Sequence, residues 1–210
     1  MPEQENAIYD VKSTEEIIAE AFAATRRMQQ GTDFPLTLQA GWLDTPLGTM
    51  LVAGNDEYIH MVCFIENASL VRKAAVLQKN LKAWLELGES ASVSSAKREL
   101  TEYFAGRRRV FETPVKSMGT AFQARVWDEL RGVPFGQTVS YVDLANAIGR
   151  PAAFRAVAQA NAQNPAAVLL PCHRVVNSDQ SLGGYNAGIE RKRWLLDFEK
   201  GILERGENAS

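Results

Sequence analysis

The chain has 210 residues, of which 46% are hydrophobic and 23% are charged, with two cysteines and a formal net charge of −2. This composition is typical of a globular protein of one large or two small domains, and it excludes a disulfide framework and a cysteine-rich zinc site. Since the net charge of the chain is not positive, binding of a nucleic acid would require a local basic surface.

The N-terminal region, residues 1–40, predicts a helical extension to the body of the protein. Ser13 and Glu16 have the spacing of a capping box, and apolar residues follow at helical intervals as far as Gly31. The acidic start and the lack of a membrane-length apolar run predict a protein that is not secreted and contacts no membrane. We therefore expect it in the cytoplasm of a bacterium, or in the nucleus of a eukaryote.

Residues 41–116 predict a first domain of α/β type. Period-two patterns at 50–53 and 58–64, each next to a turn, indicate an antiparallel meander. We assign structural roles to His60 and Cys63, which lie on it. The rest of the domain predicts, in order, a helix at 69–87, a polar linker at 88–92, a helix capped by Ser94 or Ser95 and ended by Gly106, a solvated basic helix end at 107–109, and a short strand at 110–115.

Residues 117–204 predict a second, mainly helical domain, followed by a tail at 205–210. After a helix at 122–130, Thr138 or Ser140 caps a helix that ends at Gly149, and a further helix runs over 152–162. Together the last two form a helix-turn-helix pattern. The second of them carries Arg155 among small residues, which suits a close approach to a DNA groove, although the pattern alone favours a packed helical hairpin. The small residues include Ala153, Ala156 and Ala158.

The segment 168–176, V-L-L-P-C-H-R-V-V, places a cysteine and a histidine side by side between strand-like residues. Cys172 is either a buried thiol that acts as a small hydrophobic residue or an activated nucleophile. Burial of His173 and Arg174 without partners would be costly, so the segment should open onto a site. Neighbours on an extended chain point to opposite faces. A direct Cys172–His173 contact therefore requires a backbone turn, and otherwise a water must bridge them.

Two later features are weaker signals. The glycine-rich loop at 182–188, with Tyr185 at its centre, is either the wall of a ligand pocket or an ordinary turn. Glu199 lies near the C-terminal end of the last predicted helix, 190–201, where the helix dipole disfavours it, so we expect it to have a partner. From the residues alone, a DNA alkyltransferase and a Cys-His hydrolase rank about equally. A DNA-lesion binding module without catalysis is a third hypothesis.

Over residues 40–200 the chain resembles the O6-alkylguanine-DNA alkyltransferases, also called methylated-DNA–protein-cysteine methyltransferases. The resemblance rests on ordered motifs, of which P-C-H-R-V at Pro171 is highly specific, and related alkyltransferase-like proteins lack its cysteine. The other motifs are T-P-L-G-T-M at Thr45, E-Y-F-A-G at Glu102, F-Q-A-R-V-W at Phe122, V-S-Y at Val139, F-R-A-V at Phe154, Q-N-P at Gln163, G-G-Y at Gly183 and R-K-R-W-L-L at Arg191.

The resemblance implies an α+β protein. Its N-terminal α/β domain would hold a small antiparallel, ribonuclease H-like sheet, and its C-terminal domain a winged-helix-like helix-turn-helix. The implied activity is that of a methylated-DNA–[protein]-cysteine S-methyltransferase. It would bind the minor groove of duplex DNA, flip out O6-alkylguanine, with O4-alkylthymine as an alternative substrate, and transfer the alkyl group irreversibly to Cys172 in a single turnover. A monomer that needs no cofactor is implied.

The resemblance also implies roles for individual residues. Cys172 would accept the alkyl group, His173 would activate the thiol through a water, and Glu199 would orient the histidine. Asn164 would tie the preceding turn to the reactive segment. Tyr141 would help to rotate the target phosphate and would donate a proton to the leaving guanine.

In the same way, Arg155 would enter the duplex and fill the space left by the flipped base, on a helix that presents Ala153, Ala156 and Ala158 to DNA. The alkyl pocket would be lined by Tyr185, Gly183, Gly184, Asn186 and Val175. Asn186 and Ala167 stand where some relatives carry serine and proline, so acceptance of bulky groups such as benzyl is left open. Some relatives bind zinc in the first domain, but only His60 and Cys63 are available here, and we predict no metal.

Overall fold

The computed structural model describes residues 12–65, 67–116 and 118–207. The α-helices are α1 (Thr14–Met28), α2 (Asn67–Leu81), α3 (Ala91–Phe104), α4 (Ala121–Arg131), α5 (Tyr141–Ala147), α6 (Phe154–Ala162) and α7 (Ile189–Glu207). The strands are β1 (Leu36–Leu43), β2 (Met50–Gly54), β3 (Ile59–Phe64), β4 (Ala83–Leu87), β5 (Val139–Ser140) and β6 (Val175–Val176). Within the described ranges, no helix combines the length and the apolar character needed to cross a membrane.

The first domain is built on a four-stranded sheet of order β3-β2-β1-β4. The antiparallel meander is confirmed, since β1 pairs with β2 and β2 with β3 in antiparallel register. The fourth strand was not predicted: residues 83–87 form β4, parallel to β1, rather than the end of a helix. Lys82 breaks the helix with a φ of 50°. Ala83 and Leu85 are fully buried while Glu86 is exposed, a spacing that suits a half-buried strand. The sheet is therefore mixed rather than wholly antiparallel.

Helix α1 covers one face of this domain. The Ser13 hydroxyl accepts a hydrogen bond from the Glu16 backbone N–H at 3.2 Å, and the Glu16 carboxylate accepts one from the Ser13 N–H at 2.7 Å, so the predicted capping box is present. Ile18 and Phe22 are buried in a cluster shared with α2 and β4. Because β1 begins at Leu36, the predicted boundary at residue 41 falls inside the sheet.

Helix α3 packs against β1, β2 and β3, and it is capped by Ser90 rather than by the predicted Ser94 or Ser95. The predicted polar linker therefore already contains the start of this helix. Of the predicted basic helix end, Arg108 is paired with Glu102 at 2.7 Å rather than fully solvated. The predicted strand at 110–115 is wrong. Only a short bridge forms there, in which the Ile59 N–H donates to the Pro114 carbonyl at 2.9 Å.

The second domain contains the predicted helix-turn-helix, formed by α5 and α6. The Ser140 hydroxyl accepts from the Asp143 N–H at 3.0 Å and so caps α5. One 3-10 turn, Pro151–Ala153, precedes α6, which starts at Phe154 rather than at residue 152. The last helix, α7, extends beyond the predicted end at residue 201 and into the predicted tail.

The two domains share one hydrophobic core. Buried residues of β2, β3 and α3 pack in a single cluster with buried residues of α4 to α7 and with the segment around Leu170. The edge strand β3 also bonds to the second domain, because the Val62 N–H donates to Pro165 O at 2.9 Å and the Ala167 N–H donates to Val62 O at 3.0 Å. The segment that leads to Cys172 is therefore attached to the sheet of the first domain.

Candidate functional site

Cys172 lies on a single 3-10 turn, Cys172–Arg174, between an apolar run and β6. The Cys172 N–H donates to Leu170 O at 2.8 Å, and the Arg174 N–H donates to Pro171 O at 3.0 Å. Val168, fully buried, has a φ of 73°, a strained conformation for a β-branched residue that surrounding packing must hold. The backbone thus turns where a direct Cys-His contact would need it to turn.

Cys172 is only 5% exposed, and two asparagines donate hydrogen bonds to it, one to the thiol and one to the backbone carbonyl. The Asn164 amide donates to Sγ at 2.8 Å and to Leu170 O at 2.7 Å, so this side chain connects the thiol to the turn that precedes it. Asn161, which sequence reasoning missed, donates to the Cys172 carbonyl at 3.2 Å. Burial raises the pKa of the thiol to about 11, although the Asn164 hydrogen bond and the charge of Lys192 act to lower it. The thiol is therefore protonated at neutral pH and needs a base.

His173 is fully buried, and its Nε2 lies 2.8 Å from Oε1 of Glu199. Burial lowers the pKa of His173, against the opposing effect of Glu199, so the ring is neutral at physiological pH. A carboxylate next to Nε2 favours the proton on that nitrogen, which leaves Nδ1 as a base. Nδ1 has no hydrogen-bond partner among the residues that the structure describes, so no direct bond joins it to the thiol.

Glu199 is fully buried and accepts hydrogen bonds from more groups than the sequence indicated. Besides His173, they come from the Arg174 guanidinium at 2.9 Å, the Tyr103 hydroxyl at 2.7 Å and the Gly136 N–H at 2.8 Å. Burial acts to raise the pKa of Glu199, but His173 and Arg174 outweigh it and lower that pKa to about 2. The carboxylate is therefore charged at all physiological pH values.

Lys192 is a second buried group that sequence reasoning missed, although it lies inside the R-K-R motif. Its ammonium donates to Val175 O at 2.6 Å and to the carbonyls of Leu182 and Gly184. Burial lowers the pKa of Lys192 to about 8, and Cys172 has the opposite, smaller effect. The lysine therefore ties β6 to the glycine-rich loop and places a positive charge near the thiol.

The glycine-rich loop faces Tyr141 at the start of α5. The Tyr141 hydroxyl lies 3.5 Å from Gly184 O. Gly183 has a φ of 63°, and a Cβ there would lie 3.2 Å from the Tyr141 ring, so both conformation and space favour glycine. The buried hydroxyl of Tyr185 lies near the thiol, but it has no hydrogen bond of normal geometry to any residue in the described part of the chain. Burial raises the pKa of both tyrosines.

A cavity of about 700 Å³ opens over the thiol. Its lining includes Cys172, Asn164, Gly184, Tyr185 and Asn186, and it continues past His60 and Cys63 to α2. Val175, predicted to line the pocket, is instead fully buried in the core, and its carbonyl is taken by Lys192. In the described ranges, no three His, Cys, Asp or Glu side chains come together in an arrangement that could hold a metal ion.

A second groove, of about 460 Å³, runs along α6 and is lined by Tyr141, Phe154, Arg155 and Ala158. It shares part of its lining with the cavity, so the surface of α6 continues towards the thiol. The shared residues are Ala162, Gly184, Tyr185 and Asn186. Arg155 and Ala156 are exposed on this helix, Ala158 is half-buried on it, and Ala153 is half-buried in the 3-10 turn before it. The structure therefore brings the predicted DNA-contacting and alkyl-accepting residues to adjoining surfaces.

Comparison with known proteins gives a consistent result. Residues 38–117 match the ribonuclease-like domain of 6-O-methylguanine DNA methyltransferase, and residues 121–201 match its DNA binding domain. The chain is 36% identical over 161 residues to a methylated-DNA–protein-cysteine methyltransferase of Methanosarcina barkeri, covering 77% of this chain and 96% of that one. It is 37% identical over 158 residues to the constitutive enzyme of that name from Bacillus subtilis, covering 75% and 92%. The crystal structure of Mycobacterium tuberculosis OGT in complex with DNA aligns with a TM-score of 0.66 at 35% identity, covering 80% of this chain and 94% of that one.

Proposed function

The chain belongs to the methylated-DNA–protein-cysteine methyltransferase family, and we propose that it repairs alkylated duplex DNA by transferring the alkyl group of O6-alkylguanine to its own Cys172. The observation that carries this proposal is the order of groups Glu199, His173 and Cys172. A charged carboxylate holds a neutral imidazole on the residue next to a buried thiol, and the other ring nitrogen has no hydrogen-bond partner within the described ranges. Such an arrangement serves to remove a proton from the thiol.

Proton removal is the first requirement. With a pKa of about 11, the thiol of Cys172 is ionised in only about one molecule in ten thousand at neutral pH. Nδ1 of His173 takes the thiol proton through a bridging water, and the Glu199 carboxylate stabilises the imidazolium that forms. The nearby charge of Lys192 favours the thiolate, and the Asn164 amide donates a hydrogen bond to it.

The transfer itself is a single displacement. The thiolate attacks the alkyl carbon, an S–C bond forms, and the bond from that carbon to guanine O6 breaks. The electron pair goes to the guanine, which Tyr141 protonates as it leaves. A thioether has no simple route back to the thiol, so each molecule acts once. A thiol hydrolase would need donors for an oxyanion, but the Cys172 N–H already donates to Leu170 O.

Access to the alkyl group requires that the guanine leave the base stack, at a cost of a few kcal/mol. Helix α6 and the 3-10 turn before it lie in the minor groove with Ala153, Ala156 and Ala158 towards DNA, and Arg155 occupies the space left in the duplex. The flipped base passes along the groove of α6 into the cavity over Cys172. Its pocket is walled by the loop from Gly183 to Asn186, with Tyr185 as the aromatic face. The protein acts as a monomer, in the bacterial cytoplasm or in the eukaryotic nucleus, where the DNA is.

The test is the intact mass of the protein after incubation with a duplex that carries one O6-methylguanine. The expected result is a gain of one methyl group, located on the peptide that contains Cys172 and absent with an unmodified duplex. Cys63 is an internal control thiol, and Cys172→Ala should bind the lesion without any gain in mass. An unchanged mass in the presence of a stable complex would show a lesion-binding module and would overturn the proposal.

A further inference from the structure

Phe154 is a large aromatic residue that α6 leaves exposed. Its side chain is 41% exposed, whereas the same helix buries Val157, Ala160 and Asn161. The side of α6 that packs against the core is therefore formed by other residues, and the Phe154 ring contributes little to the core. Single exposed apolar residues are common, so exposure alone does not indicate a role.

The residues around Phe154 indicate a role for its exposed ring. The guanidinium of Arg155 lies 5.4 Å from the centre of the Phe154 ring, within the range of a cation–π contact. Both residues line the groove of α6, which shares Tyr185 and Asn186 with the cavity over the thiol. The aromatic ring and the arginine therefore stand together at the entrance to the path that leads to Cys172.

We propose that Phe154 and Arg155 form a two-residue wedge, in which the Phe154 ring stacks on the base that flipping leaves unstacked while Arg155 fills the space of the flipped nucleotide. The inference rests on the proposed function. Flipping exposes the face of a neighbouring base, and an apolar ring inserted at such a step offsets the lost stacking. The cation–π contact also orients the Arg155 side chain before DNA binds, which reduces the entropy lost on insertion.

Transfer rates from two forms of the substrate, O6-methylguanine in duplex DNA and the free base, test the proposal. Base–aromatic stacking contributes enough that Phe154→Ala should slow transfer from O6-methylguanine in duplex DNA by about 5- to 150-fold. Transfer from the free base should not change, because no stack has to be opened. Phe154→Trp should keep the duplex rate, and Val110→Ala, which trims another exposed apolar residue, should match the wild type. An unchanged duplex rate for Phe154→Ala, or an equal loss with the free base, would overturn the wedge. A wild-type protein that transferred nothing would instead overturn the proposed function.

A stacking readout complements the rates. A duplex with 2-aminopurine next to the lesion fluoresces strongly when that base is unstacked. With Cys172→Ala, which binds without transfer, we expect low fluorescence in the complex because the Phe154 ring covers the base. The double variant with Phe154→Ala should give a several-fold brighter complex, and the variant with Phe154→Trp should stay dim. Equal brightness with and without the aromatic ring would show that Phe154 does not stack.

Discussion

Replacing Glu199 with glutamine removes one negative charge from a buried side chain that accepts hydrogen bonds from Tyr103, Gly136, His173 and Arg174. Burial acts to raise the pKa of Glu199, but His173 and Arg174 lower it from its ordinary value of 4.5 to about 2. Since one pKa unit corresponds to about 1.4 kcal/mol, the charged carboxylate contributes about 3 kcal/mol to the free energy of unfolding. This contribution is complete above the unfolded pKa and is lost as the pH falls from 4.5 towards 2.

Urea unfolding of the wild type and of Glu199→Gln over this pH range measures the effect. At neutral pH we expect the variant to be about 3 kcal/mol less stable, because the buried Arg174 loses its counter-charge. The difference should shrink as the pH falls from 4.5 towards 2, because the Glu199 carboxyl of the unfolded wild type takes up a proton that folding must then release. Glu204→Gln, in the same helix but with a side chain that is 60% exposed, is the matched control and should change stability little. If the stability difference did not depend on pH, the conclusion that Glu199 is charged in the folded protein would be refuted.

Four further predictions concern the reaction. Arg155→Ala should react with free O6-alkylguanine like the wild type but repair duplex DNA more slowly, and an equal loss with both substrates would contradict the finger role. His173→Ala should lower the transfer rate by about 10²-fold or more with DNA binding retained. Because burial lowers the pKa of His173, the wild-type rate should stay level from neutral pH down to 6.5, where an ordinary histidine is half protonated. Lys192→Met should raise the pKa of the Cys172 thiol, which would be measured as slower alkylation by iodoacetamide at a fixed pH. Lys200→Met, on the exposed side of α7, should leave that rate unchanged. Equal alkylation rates in the two variants would contradict the electrostatic role of Lys192.

The sequence predicted best where the signal was local. The capping box at Ser13, the meander and the helix-turn-helix follow from short-range periodicity and turn chemistry, and the structure contains all three. The strand β4 was missed because Leu81, Trp84 and Leu85 continue the helical spacing of the residues before them, while Ala83 and Leu85 fit alternation equally well. Its conformation is decided by its pairing with β1, which lies far away in sequence.

The partners of Glu199 show the same limit within the site. Its unusual position near a helix end indicated that a partner existed, and His173 is one. Tyr103, however, lies 96 residues away on α3, where its spacing is that of an ordinary core residue. Nothing local marks such a contact. Lys192 was missed for a related reason, because a lysine in a basic helix is normally solvated, and only the fold shows that three carbonyls surround its ammonium.

Tyr103 and Val62 indicate what the first domain contributes to the second. In the proposed mechanism no side chain of the first domain touches the reacting atoms. Yet Tyr103 bonds to the carboxylate that orients His173, and Val62 exchanges two backbone hydrogen bonds with the segment that leads to Cys172. Displacement requires the sulfur, the alkyl carbon and O6 to align closely, and a misplacement of about 1 Å can cost a hundredfold in rate. In the proposed function the DNA contacts lie on α5 and α6, so the first domain would serve the geometry of transfer and the second domain both transfer and binding.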